Sequence, residues 1–381
     1  METRRVLIYR NELLPLSETF ILSQANALCR FQPIFAGLRH VSSSLEITPH
    51  PVLTLSRSES WSEKANRRVF LRTGHAGRFA RAIAAQNPRI VHAHFAVDGG
   101  AALPIAKRLS APLIVTLHGY DVTCTDEKAN RWPTNRAYLR RKQELWKHAS
   151  VFICVSEHVK EQARSCGFPE EKLWVHHVGV ELSECSPLVQ LRDKKTVLFA
   201  GRLVEKKGCI HLIQAMSLVQ KAIPNACLVI VGDGPLRNEL EREAARCCKG
   251  VMFLGQQTHA EVKRWMLHSR VLAAPSVRAK NGDSEGLPTV LCEAQALGLP
   301  PVAFATEGVA EALPIERRGC MPSEGDVAGL AEKIVHLMQD DQAWQVASDA
   351  GRRYIKHHFD LNAQARILED KYEEVIAGHY V

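Results

Sequence analysis

No CxxC pair occurs anywhere in this chain, which removes the sequence signatures of a zinc site and of a thioredoxin-like redox centre. The 11 cysteines are an odd, scattered set, and several sit in apolar runs such as FICVS and ACLVIVG, where cysteine packs as a small hydrophobe. They read as free thiols in a reducing cytoplasm. No apolar run approaches the ~20 residues that span a bilayer. The start, METRRVLIYR, has neither an apolar h-region nor a small-residue cleavage site, so a secretory leader is not expected. Low-complexity tracts and short repeats are absent as well. With 46% hydrophobic and 24% charged residues, this is the composition of a globular protein. A length of 381 residues exceeds one ordinary core, so two domains are expected.

The net charge is carried by the first half only. Residues 1–187 hold 25 Lys and Arg against 17 Asp and Glu, whereas residues 188–381 hold 24 of each. The whole excess of +8 therefore belongs to the first half. Its densest piece, NRAYLRRKQELWKH (135–148), interleaves basic residues with Tyr, Leu and Trp. Such a face suits anionic lipid headgroups, or is simply a solvated helix surface. Nucleic acid is not among the expected partners.

Apolar runs alternate with segments of helical spacing. In the first half the runs are RVLIYR (5–10), PIFAGL (33–38), RIVHAHF (89–95), LIVTLH (113–118), VFICVS (151–156) and LWVHHV (173–178). A polar stretch, ELSECSPLVQLRDKK (181–195), reads as a linker. The alternation restarts with TVLFAGR (196–202), ACLVIVG (226–232), VMFLG (251–255), RVLAAPS (270–276) and PPVAFA (300–305). Strands spaced by helix-length pieces make parallel sheets covered on both faces. The expected architecture is α/β, two Rossmann-like doubly wound domains facing across a cleft. The boundaries are 1–185, 186–358 and a final helical piece, 359–381. Ligands of such sheets bind at the carboxyl ends of the strands, so candidate residues are weighed by that position.

In GRLVEKKG (201–208), Arg202 and Lys207 follow a strand and precede a helix. A guanidinium and an ammonium beside a helix start suit a diphosphate, although a solvated basic turn has the same appearance. VGDGPLRNELE (231–241) lacks the third glycine of a dinucleotide fingerprint, and Asp233 reads as a helix cap. His118, in VTLHGYD (115–121), could donate to a sugar hydroxyl or phosphate oxygen, or be an ordinary loop histidine. His92 and His94 share one strand face, but no third metal ligand accompanies them. Ser17, in LPLSETFILSQ (14–24), reads as an N-cap, with Glu18 and Thr19 as possible contacts to a substrate.

NGDSEGLPTVLCEAQALGLP (281–300) holds two carboxylates, Glu285 and Glu293, around an expected helix start near Pro288. Eight helical residues span ~12 Å, whereas paired hydrolase carboxylates stand roughly 5–9.5 Å apart. The spacing therefore disfavours a hydrolytic pair and fits two anchors on one extended ligand. The bland alternative makes Glu285 a helix-dipole charge and Glu293 a surface residue.

Taken in order, GRLVEKKG, VGDGPLR, the APS run, EGLPTVLCE with its E-x7-E spacing, and HGYD resemble the retaining GT-B glycosyltransferases of family 4. SETFILSQ and GDSEGLP further resemble the subgroup that builds bacterial exopolysaccharides such as colanic acid and amylovoran on lipid-linked intermediates. The resemblance covers nearly the whole chain. It implies that Arg202 and Lys207 hold the donor diphosphate and that Glu285 contacts the transferred sugar. Glu293 would hold the ribose, with Gly286, Leu287, Pro288 and Thr289 beside the phosphates. His118 would meet the sugar from the first, acceptor-binding domain, where Ser17, Glu18 and Thr19 face the acceptor. The final helix would cross back to that domain. No DxD triplet is present, in keeping with the metal-independent type, so no cofactor is expected.

The expected activity is transfer of a hexose from a UDP- or GDP-sugar to a saccharide, lipid-linked, at the inner face of the cytoplasmic membrane. A nucleotide-sugar epimerase of the same architecture and a non-catalytic nucleotide-sugar-binding protein are the alternatives. An acceptor requirement separates the first, and turnover the second.

Overall fold

The computed structural model describes residues 4–41, 45–123, 132–182 and 193–378. The chain divides into two compact units, Met1–Gly179 with Leu361–Val381, and Val180–Asp360. Most of the stretch read as a linker, residues 183–192, lies outside the described residues, as do Cys124 and Cys185. No disulfide links the described cysteines.

Every apolar run named above carries a strand. In the first unit the order across the sheet is Val52–Thr54, Phe31–Gly37, Arg4–Tyr9, Ile90–His94, Leu113–Leu117, Val151–Cys154 and Leu173–Val175, all parallel. That is the doubly wound pattern, in which the chain starts centrally, winds to one edge and returns to wind to the other. Central strands such as Val6–Tyr9 and Ile90–His94 are buried throughout. Such runs are largely apolar because both faces are covered, with His92 and His94 the buried polar exceptions. The edge strand Val52–Thr54 is only half-buried and three residues long, so its sequence carries no comparable run.

The second sheet has the order Val251–Gly255, Cys227–Val231, Thr196–Ala200, Val271–Ala274 and Pro301–Ala303, again all parallel. Its core is closed by the helices Cys209–Ala222 and Val327–Gln339 through Leu212, Met216, Val219, Leu330 and Ile334. These are the two Rossmann-like sheets of a GT-B architecture.

The last helix, Leu361–Ile376, returns to the first unit. Its buried Glu369 accepts hydrogen bonds from the backbone N–H groups of Cys29, Arg30 and Phe31, and Tyr372 packs edge-on to Phe31. A buried carboxylate that takes three amides is compensated for its lost water, so this docking is specific as well as apolar.

Two expected caps are corrected. The helix after the first strand begins at Thr19 with Glu18 at the N-cap and no side-chain cap; Ser17 is exposed in the preceding turn. Arg10 draws the Glu18 side chain inward, which sets the chain direction there. Asp233 does not cap its helix either, which starts at Arg237. Its carboxylate instead accepts from the Gly234 amide and pairs with Arg237 at 3.3 Å.

Candidate active site

The second unit gathers its polar residues where its strands end. After strand Thr196–Ala200 the chain makes a short turn, Glu205–Lys207, and enters helix Cys209–Ala222 at Gly208. Gly208 has φ 63° and lies so close to Pro275 that a Cβ would stand 1.8 Å from the Pro275 carbonyl oxygen. Only glycine permits both the left-handed backbone and that approach. The approach brings the 201–208 loop against the 276–288 loop, and the Val277 amide donates to the Lys206 carbonyl at 2.8 Å.

Two lysine–carboxylate pairs then lace these loops. Lys207 Nζ stands 2.8 Å from Glu285 Oε1, and Lys206 Nζ stands 3.0 Å from Asp283 Oδ1. Ser276 Oγ donates to Glu285 at 3.4 Å. Glu285 is buried, and burial opposes its ionisation. Lys207 and then Lys206, with hydrogen bonds from Lys207 and Ser276, outweigh that and hold its pKa below the ordinary carboxylate value. Glu285 is thus an anion at neutral pH, able to accept hydrogen bonds and unable to donate a proton. Its backbone rests on Gly308, where a Cβ would meet the Glu285 carbonyl oxygen at 2.1 Å.

Gly286, Leu287 and Pro288 follow, all buried, with Thr289 half-buried at the start of helix Thr289–Ala296. Pro288 is the N-cap rather than the first helical residue, and no side chain caps this end. Glu293 is half-buried, with 16% of its side-chain surface exposed, and His259 Nε2 lies 3.5 Å from its Oε1 without an aligned hydrogen bond. Neither carboxylate is therefore an ordinary surface group. Arg202 is exposed, and its guanidinium makes no ion pair or hydrogen bond among the described residues.

The first unit collects a different set. Arg10 donates to both oxygens of Glu18, at 2.8 and 2.6 Å, and to Asp98 at 2.5 Å. Asn11 adds its backbone and side-chain N–H groups to Asp98. Burial nevertheless raises the Asp98 pKa to about 6, against the pull of Arg10. His92, His94 and His118 form a stack, with ring centroids 4.5 and 5.3 Å apart. His92 is held by Tyr372 Oη and Thr116 Oγ1, each at 2.6 Å. His118 packs on Phe20 and Phe95, and Asp121 accepts from its backbone N–H. Burial first, then Arg10 and His92, depress the His118 pKa to about 3, so its ring is neutral. Among the described residues no three His, Cys, Asp or Glu side chains converge as a metal site requires.

The structure thus brings Lys207 and Glu285 together, and groups Glu18 with His118 around Arg10 and Phe20. Sequence reading missed Lys206, Asp283 and Ser276, which lace Glu285 in place, and His259 beside Glu293. Lys206 was legible as the other half of the KK doublet. His259, 34 residues from Glu293 and reading only as the start of a helix, gave no signal.

Two family descriptions match the chain. Residues 42–184 match Glycosyltransferase Family 4, and residues 194–340 match Glycosyl transferases group 1. The chain is 30% identical over 305 residues to TuaC of Bacillus subtilis, named as a glycosyltransferase of teichuronic acid biosynthesis, covering 76% of this chain and 71% of that one. This chain belongs to the family 4, group 1 glycosyltransferases. The glycosyltransferase is also 27% identical over 335 residues to AmsK of Erwinia amylovora, named as an amylovoran biosynthesis glycosyltransferase, covering 80% and 78% of the two chains. Among solved structures, Anabaena HepE in complex with UDP-glucose superposes with a TM-score of 0.75 at 18% identity, over 97% of this chain and 99% of that one. The sucrose-phosphate synthase of Thermosynechococcus elongatus gives 0.76 at 19%, over 98% and 100%. These two likenesses show the fold. With the family come the GT-B architecture and the enzyme class, a hexosyltransferase.

Proposed function

We propose that this glycosyltransferase moves a hexose from a UDP- or GDP-sugar to a lipid-linked saccharide, with retention of anomeric configuration, during assembly of a bacterial exopolysaccharide or other cell-surface glycan. The observation that carries the reading is the Lys207–Glu285 pair at 2.8 Å, with Arg202 in the same 201–208 loop and its guanidinium unpaired among the described residues, all at strand ends of one Rossmann-like unit. Departure of a nucleoside diphosphate places negative charge on phosphate oxygens. Arg202 and Lys207 supply fixed positive charge for it, and the uncapped start of helix Thr289–Ala296 adds its dipole. No metal is required by this scheme.

Ionised Glu285 accepts from hydroxyls of the transferred sugar, while Glu293 accepts from the ribose, with Gly286, Leu287, Pro288 and Thr289 along the phosphates. His118, neutral, offers a ring N–H to a sugar oxygen. Both Glu18 oxygens are taken by Arg10, so the acceptor-side contacts fall to the exposed Ser17 and to Thr19. Helix Pro133–His148, with exposed Arg136, Arg140 and Lys147 and with Trp132 66% exposed just before it, suits a peripheral place on an anionic membrane. No described helix is long and apolar enough to cross one.

Calorimetry with a panel of nucleotides and nucleotide sugars tests the donor site. Glu293→Ala is expected to weaken the bare nucleotide, and Glu285→Ala to spare it while weakening the intact donor. Equal losses of bare nucleotide in the two variants would reject this division. Release of an altered sugar without any acceptor would replace transfer by epimerisation.

A further inference from the structure

We infer that His94 is a positioning residue that fixes the tautomer of His118, so that His118 offers Nδ1–H to its ligand. This rests on the reading of His118 as a sugar contact. His94 ends strand Ile90–His94 and His118 follows strand Leu113–Leu117, neighbours in register in the first sheet. His94 Nδ1 and His118 Nε2 stand 3.1 Å apart. Burial foremost keeps both rings neutral, so one of these nitrogens carries the proton and the other the lone pair.

The other nitrogen of His94 decides which. His94 is 2% exposed, and its Nε2 is shut off from solvent with no partner among the described residues. If His118 Nε2 donated, His94 would carry its proton on Nε2, leaving a buried N–H without an acceptor. If His94 Nδ1 donates, only a lone pair is left there. Orphaned buried N–H groups are the rarer and costlier case, so the proton sits on His94 Nδ1. His118 Nε2 then accepts, and the remaining proton of His118 is on Nδ1. Free imidazole side chains favour the Nε2–H form, so an Nδ1–H ring at 118 needs this cause.

The His94 ring cannot turn away from the task. It is stacked between His92 and His118, and His92 is itself pinned by Thr116 and by Tyr372 of the last helix. The chemical consequence is selectivity for acceptor oxygens. His118 as an Nδ1–H donor binds a hydroxyl or phosphate oxygen through its lone pair, and a ligand group that can only donate gains nothing.

The test is ¹⁵N-detected imidazole NMR of the ligand-free full chain at neutral pH, with His118→Ala assigning the 118 resonances. The expected wild-type spectrum shows a pyrrole-like Nδ1 and a pyridine-like Nε2 at His118. His94→Phe, which removes the donor, should interchange those two shifts or average them. His94→Asn places an amide N–H where Nδ1–H was and should keep the wild-type pattern. An Nε2–H His118 in the wild type, or unchanged His118 shifts in His94→Phe, overturns the assignment. The wild-type spectrum decides however the variants fold. The sugar-contact reading is tested apart, by calorimetry of His118→Ala with a nucleotide sugar against the bare nucleotide, and can fail while the tautomer stands.

Discussion

At the strand ends of the first unit, Arg10 is shared by Glu18 and Asp98, and the His92–His94–His118 stack is neutral. At those of the second, Arg202 is exposed and its guanidinium has no partner among the described residues, while Lys206 and Lys207 hold carboxylates across a loop. Both sets sit at the same topological position of the same kind of sheet. The first has its charges compensated internally, so its polar residues mainly fix structure and leave neutral edges for a ligand. The second keeps net positive charge in reserve. A buried ion pair with its partners in place mainly stabilises the fold, whereas an exposed cation with no partner among the described residues is available to an anionic ligand.

The contrast breaks first at Arg10. Arg10→Ala would strand Asp98 and Glu18 in a buried site and cost roughly 3–5 kcal/mol of unfolding free energy. Arg202→Ala should change it by less than about 0.5 kcal/mol, as an exposed residue does. Denaturant melts that give similar losses for both would abolish the comparison.

Acid should separate the units next. His92, His118 and His176 have pKa values depressed to about 3 by burial, from an ordinary 6.5. The unfolded chain therefore binds more protons there, and stability falls as pH drops from 6.5 towards 3. Asp98 and Asp121, raised by burial to about 6 from 3.8, act oppositely within their own window but are outnumbered. In the second unit burial lowers the pKa of one histidine, His211, so a smaller loss begins in the same range, and the contribution of Glu285, with its depressed pKa, is lost only below the ordinary 4.5. Hydrogen exchange followed from neutral to mildly acidic pH should show the first unit opening earlier; simultaneous opening would contradict this.

Arg202→Ala should then weaken a nucleoside diphosphate by about 1.5–3 kcal/mol, the worth of charge-assisted hydrogen bonds, read by calorimetry. The smallest effect on binding is that of Lys206→Met. Loss of its pair with the largely covered Asp283 should lower stability by about 1–3 kcal/mol, with donor affinity falling more than nucleotide affinity, though by less than in Arg202→Ala, because the 276–288 loop loosens beside Glu285.

Much of this was legible from residues alone. Each buried parallel strand announced itself as an apolar run, and the glycines at 208 and 298 mark turns that need a left-handed backbone, with φ 63° and 70°. The edge strand Val52–Thr54 did not, because it is only three residues long and half-buried, whereas the edge runs LWVHHV and VMFLG were legible. The caps at Ser17 and Asp233 were misjudged because local propensity favours them, while Arg10 holds Glu18 next to Ser17 and Arg237, four residues on, engages the Asp233 carboxylate.

The sequence alone determined the alternation of strands and helices, the strand-end placement of Arg202, Lys207, Glu285 and His118, and the confinement of excess positive charge to the first half. Period, length and turn chemistry are local properties, so a single chain displays them. Tertiary structure decided which of those groups are paired. That Lys207 pairs with Glu285, that Arg10 is shared between nearby Glu18 and distant Asp98, and that His94 reaches His118 are matters of a few ångströms between different segments of the chain. Electrostatic and hydrogen-bond energies vary steeply over such distances, and no spacing along the chain encodes them.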